Sequence, residues 1–196
     1  MDTPPLSLKS LLSRLARVVG KTPAALYERQ RVLMEAGLLQ AVAGRGPGSG
    51  VRATPQSMAV LLIALLATDS VAETGERTKT VMKLKSHEGP CPITLQKTFS
   101  AALAEILASE ELAKDIGLIA VERTHEKVGA SIWRKLKRSP GVLPNWAELD
   151  LSTFGLWPDP DPASSPKGMY TRTGLRLPFD EIAHALAGTE TKEPNK

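Results

Sequence analysis

Metal binding and nucleophilic catalysis both need histidine, cysteine or paired carboxylates at regular separations, and this chain offers only His87, His125, His184 and a single cysteine, Cys91. The three histidines fall in a polar connector, a strand-like stretch and a C-terminal helical stretch. No HxxxH or CxxC spacing joins them, so no metal site is expected. Cys91 stands between Pro90 and Pro92 with no neighbouring base to activate it, which leaves a buried or idle thiol. Glu122, His125 and Glu126 are close in sequence, but strand alternation sends neighbours to opposite faces, and a solvent-facing hairpin accounts for them equally well. The basic run WRKLKR, residues 133–138, is either a second phosphate contact or a solvated strand end. With no convergent polar cluster, neither an enzyme activity nor a cofactor is expected.

Charge is the more informative signal. Residues 1–52 carry eight basic side chains (Lys9, Arg14, Arg17, Lys21, Arg29, Arg31, Arg45, Arg52) against three acids, although the whole chain of 196 residues is only +4. The remainder is therefore close to neutral, and the N-terminal part is the one that calls for an anionic partner, most often nucleic acid. An apolar content of 42% is enough for a packed core, and an aromatic content of 4% means that Leu, Ala, Val and Ile must build it. The longest apolar run, MAVLLIALLA at 58–67, is far below the roughly 20 residues that cross a bilayer, and the start of the chain lacks the pattern of a signal peptide. A single cysteine suits a reducing compartment. The expected location is the cytoplasm, with no membrane partner.

The elements that would present this charge can be read from periodicity. Leu8, Leu11, Leu12, Leu15, Val18 and Val19 make the stripe of an amphipathic helix that Gly20 ends. A second helix starts at Thr22 as N-cap with Pro23 in its first turn and stops before Gly37. So short a connection forces the two helices to pack at an angle. The inward face of the second helix is expected to hold Leu26, Leu33 and Ala36, followed by Leu38. The outward face is expected to hold Ala24, Ala25, Tyr27, Glu28 and Arg31, with Arg29 on its flank.

The stretch LARVVGKTPAALYERQRVLMEAGLL resembles the core of winged helix-turn-helix transcription regulators over residues 7 to 67. It has a short helix, a small turn, a recognition helix opened by Pro-Ala, and an EAGLL that leads into a strand; Gln30 stands where that family often has an apolar residue. The resemblance implies a two-stranded wing, with LLQAV and VRAT as its strands and GRGPGSG as its tip. By composition alone that glycine-rich stretch is a hairpin tip or a linker; it has neither the Gly-Lys-Ser/Thr ending of a P-loop nor dinucleotide-loop spacing. The resemblance further implies double-stranded DNA as partner, contacted by Lys21, Thr22, Ala24, Ala25, Tyr27, Glu28, Arg29 and Arg31. Small alanines would admit the helix to the major groove, while Arg45 and Arg52 reach backbone or minor groove.

Thr54 and Pro55 then open a helix that is apolar nearly all round, and is either a central core helix or a homodimer interface through Leu62 and Leu66. A polar stretch and a Pro-Gly cluster at 89–92 mark an expected boundary. Beyond it come a helix capped by Thr94 with Leu95, Phe99, Ala102, Leu103 and Leu107 inward, and a β-hairpin over 116–136. A long proline-rich loop follows, pinned by Trp146, Phe154 and Trp157, then a third strand near 169–178 and a helix ending at Gly188. The expected fold class is mostly α with small β elements: a DNA-binding domain over 1–88, an α+β domain over 89–189 for dimerisation or a protein partner, and a disordered tail over 190–196. The function expected is sequence-specific binding of duplex DNA as a bacterial or phage transcription regulator, with an adaptor or phage packaging component as the alternative.

Overall fold

A computed structural model describes residues 6–43, 50–87, 89–123, 127–135, 151–155, 171–175 and 177–187. The expectations for Arg45, His125, Glu126, residues 136–138, Trp146, Trp157, Gly188 and the tail lie outside these residues.

The first helix, α1 (Leu8–Val19), starts where the Ser7 hydroxyl accepts from the Ser10 amide and ends at Gly20, whose φ of 64° is the left-handed turn that glycine adopts without strain. Leu8, Leu12, Leu15 and Ala16 form its buried stripe. The second, α2 (Pro23–Glu35), is capped by Thr22, whose hydroxyl accepts from the Ala25 amide at 3.1 Å. Leu26 and Leu33 are fully buried. Ala36 is exposed, contrary to expectation. Gly37 takes φ 70° and the Leu38 and Leu39 amides both turn back onto the Leu33 carbonyl, so that Leu39, one residue further on, fills the inward position.

Two short strands follow, β1 (Ala41–Val42) and β2 (Gly50–Val51), paired antiparallel with Ala41 opposite Val51 and Val42 opposite Gly50. The segments on either side of GRGPGSG thus form a small hairpin, and Arg52 just beyond it bridges back to Ser7 ahead of α1.

Helix α3 (Pro55–Ala67) begins with reciprocal capping between Thr54 and Ser57. Every residue from Ser57 to Ala67 is buried. It is the central helix, packed by α4 (Thr74–Met82) and α5 (Phe99–Ala108) and touched by α2 and the sheet. Leu62 and Leu66, each 1% exposed, are therefore spent on the chain's own core, which corrects their assignment to a dimer interface.

The Pro-Gly segment does not divide the core. One apolar cluster runs from Leu8 to Ala183 and includes Cys91 and Ile93 from the expected boundary region. After α4, Lys85 and Ser86 make isolated β-bridges to Thr98 and Phe154, and α5 is capped by Thr98, not Thr94. Leu95, expected inward, is 78% exposed with φ 60°, at the apex of a loop closed by bonds between Cys91 and Gln96 and between Leu95 and Cys91. Ser109 interrupts the expected long helix and caps a separate α6 (Glu110–Asp115).

The remaining strands make one antiparallel sheet in the order β5-β4-β3-β6, from β3 (Ile116–Arg123), β4 (Val128–Arg134), β5 (Leu151–Gly155) and β6 (Thr171–Leu175). The β3–β4 hairpin and the strand β6 are as expected. The segment 151–155, expected as loop, is a strand because Ser152 and Phe154 point into the core while their neighbours are half-buried. Phe154 packs on Phe99 with ring centroids 5.4 Å apart. Glu122, expected to face solvent, is 2% exposed. The last helix, α7 (Phe179–Leu186), packs on α5 and α6. The architecture is mixed α and β, with α2, α4 and α5 packed around α3 and the four-stranded sheet touching it through β3 and β6.

Candidate nucleic-acid interface

Helix α2 contributes one face to the core and one to solvent, and the division follows from 3.6 residues per turn. Leu26, Arg29, Gln30 and Leu33 point inward. Lys21, Thr22, Ala24, Ala25, Tyr27 and Arg31 are exposed, and Glu28 is half-buried beside them. The N-terminal turn of α2 thus presents two alanines with nothing projecting beyond a methyl group, flanked by Lys21 on one side and Tyr27 and Arg31 along the helix.

Electrostatic partners modify each of these side chains. Arg31 pairs with Glu28 at 2.7 Å and Glu35 at 2.5 Å, three and four residues away on the same helix. The hydrogen bond from Arg31 holds the Glu28 carboxyl below its ordinary range, and Glu28 in turn holds the guanidinium above its own. Arg31 must exchange these carboxylates to meet a phosphate. Both pairs are exposed to water, where such exchange costs little. Lys21 lies 3.4 Å from Asp69, in an equally exposed pair. The Lys9 ammonium of α1 sits 5.3 Å from the centre of the Tyr27 ring, a cation–π contact that adds a positive charge to this face. Nothing in the spacing of Lys9 announced it; only the crossing of α1 over α2 brings the two together. Arg52 is exposed where β2 runs into α3.

Arg29 is different. Expected on the flank of the outer face, it is 5% exposed, and its guanidinium donates to the Thr74 hydroxyl at 3.1 Å and the Asp69 carbonyl at 2.9 Å. Burial pushes its pKa down, with the Asp69 charge opposing. It fastens α2 to Thr74 and to the turn before α4, and belongs to the buried face of the helix. Gln30, also buried, leaves its side-chain oxygen without a partner. The sequence did carry this signal, since 29 and 30 fall between Leu26 and Leu33 on one stripe.

Among the described residues the catalytic candidates do not converge. The Cys91 thiol is fully buried, and His184 on α7 meets Glu110 on α6 at 2.7 Å as a bridge between helices. Among the described residues no three His, Cys, Asp or Glu side chains are grouped to hold a metal, and no helix is long and apolar enough to cross a membrane. No family model matches this chain, and neither a curated protein nor a solved structure matches it.

Proposed function

We propose that the protein binds duplex DNA through the outer face of α2 and the adjoining hairpin, as a winged helix-turn-helix regulator of transcription. The observation that carries this reading is the order α1, tight turn, α2, hairpin, α3, with the helix in the recognition position exposing Ala24, Ala25, Tyr27 and Arg31 while Leu26 and Leu33 anchor it. A helix held by one face, with small residues at its free N-terminal end, can lie in a major groove. Lys9, Lys21, Arg31 and Arg52 supply cations for the phosphates that flank it.

The test is affinity for random and selected duplexes across a salt series. Phosphate contact requires the logarithm of the binding constant to fall with the logarithm of salt, by about 0.9 per phosphate neutralised. A flat response rejects the reading.

The second reading, an adaptor that uses the same scaffold for protein contact, is favoured by the two carboxylates against Arg31 and by the exposed apolar side chains Tyr27, Met34 and Val42. It requires no salt-dependent duplex binding. A homodimer, under either reading, must form through a surface other than α3.

A further inference from the structure

A narrow groove runs between α1 and α7, helices from opposite ends of the chain. Its floor is Met58 of α3, with Leu15 on one wall and Ile182 on the other, all buried. Leu11 and Val18 on the α1 side, and Pro178 and Ala185 on the α7 side, are half-buried rims. The rest of the lining is two exposed side chains of opposite charge, Arg14 on α1 and Glu181 on α7. Among the described residues neither has an ion pair or a side-chain hydrogen bond.

The two rims repeat one spacing. Leu11, Arg14, Leu15 and Val18 make one stripe of α1; Pro178, Glu181, Ile182 and Ala185 make the same stripe, with the sign of the charge reversed, along α7. Each charge therefore has apolar side chains about one turn away on both sides. The cavity itself is about 20 Å³, room for one or two water-sized groups and far too little to enclose a small molecule. Such a groove is closed by side chains from a facing surface.

We infer that the facing surface is the same groove of a second copy, with α1 of each protomer laid on α7 of the other. Two copies of this face can meet about a two-fold axis that runs either across the groove or along it. The axis across the groove sets α1 on its twin, so that like charges oppose one another at both helices. The axis along the groove sets each Arg14 against the partner's Glu181, with apolar rim against apolar rim on either side. Charge thus selects the second arrangement, a self-complementary interface with two equivalent ion pairs. Lys9, five residues before Arg14 and so on another side of α1, keeps its contact with Tyr27, which makes the dimer face and the outer face of α2 separate surfaces. The inference stands whether or not that outer face binds duplex DNA.

The experiment is sedimentation equilibrium of the full chain at up to about 0.5 mM, a concentration that reaches weak dimers. Wild type should dimerise. Arg14→Glu and Glu181→Arg, each verified as folded by circular dichroism, should each weaken self-association at least about tenfold, because each sets like charges against one another at two symmetric places. The double variant Arg14→Glu/Glu181→Arg should recover wild-type association. So should an equimolar mixture of the two single variants, in which every facing pair is again opposite; no contact within one chain can produce that recovery. A wild type that stays monomeric overturns the inference and leaves the groove to a different protein. Single variants that associate as wild type does place the dimer elsewhere and overturn it too, as does a mixture that remains monomeric.

Discussion

Arg29 and Arg31 are two residues apart on one helix and have opposite fates. Arg29 completes hydrogen bonds inside the protein, so Arg29→Ala should lower stability by about 1–3 kcal/mol in urea unfolding, the cost of removing the donors to the Thr74 hydroxyl, which keeps its bond to the Ser70 carbonyl, and to the Asp69 carbonyl. Arg31 is exposed, so Arg31→Ala should leave the unfolding midpoint nearly unchanged while weakening a specific duplex by about 1–3 kcal/mol in anisotropy titrations. Glu35→Gln removes one carboxylate competing for Arg31 and should strengthen duplex binding, with the gain shrinking as salt rises. Gln30 buries an amide oxygen that finds no partner, and Gln30→Met should raise the thermal midpoint. If Gln30→Met lowers it, the amide makes a contribution that its burial does not suggest.

Among the elements, α4 is held largely by polar contacts at its N-terminal end. Thr74 receives Arg29 and donates to the Ser70 carbonyl, while Glu73 pairs with Arg77 at 2.8 Å and accepts from Thr68. The hydrogen bond from Arg77 holds the Glu73 carboxyl below its ordinary 4.5. A carboxyl depressed in the folded state stabilises the fold above its unfolded value and loses that contribution as pH falls through the folded value. The difference in thermal midpoint between wild type and Glu73→Gln should therefore be present at neutral pH and shrink as pH falls below the ordinary carboxylate range through the lowered folded value. A difference that persists in acid would assign the effect to shape and not to charge. Arg123 from β3 donates to the Ala67 carbonyl at the end of α3, a cation at a helix C-terminus that joins sheet and helix.

For the molecule as a whole, α3 decides stability. It is apolar on every side because α2, α4, α5 and the sheet cover it in turn. Leu62→Asp would place an unpaired charge at a position 1% exposed, and the chain should fail to fold rather than dissociate. Circular dichroism separates the outcomes: a folded monomer from Leu62→Asp would restore α3 as a subunit interface. The continuous core also means that residues 1–88, expressed alone, should be less stable than the full chain, since α3 would lose α5 and the sheet.

Local rules determined much of this protein. The ends of α1, α2 and α3 are where Ser, Thr, Pro and Gly place them, because capping and left-handed turns involve only a few neighbouring residues. The β3–β4 hairpin and the outward face of α2 were legible for the same reason: one period, read over a short window, assigns a side chain to a face. What periodicity cannot state is what covers each face. Tertiary packing alone assigned α3 to the chain's own interior, turned Arg29 from a surface cation into an internal clamp, and joined the two expected domains through α3 and α5. It also drew 151–155 into the sheet against Phe99 although prolines surround that segment in sequence. These contacts join residues tens of positions apart, and their energy comes from surface buried jointly, which no single segment encodes.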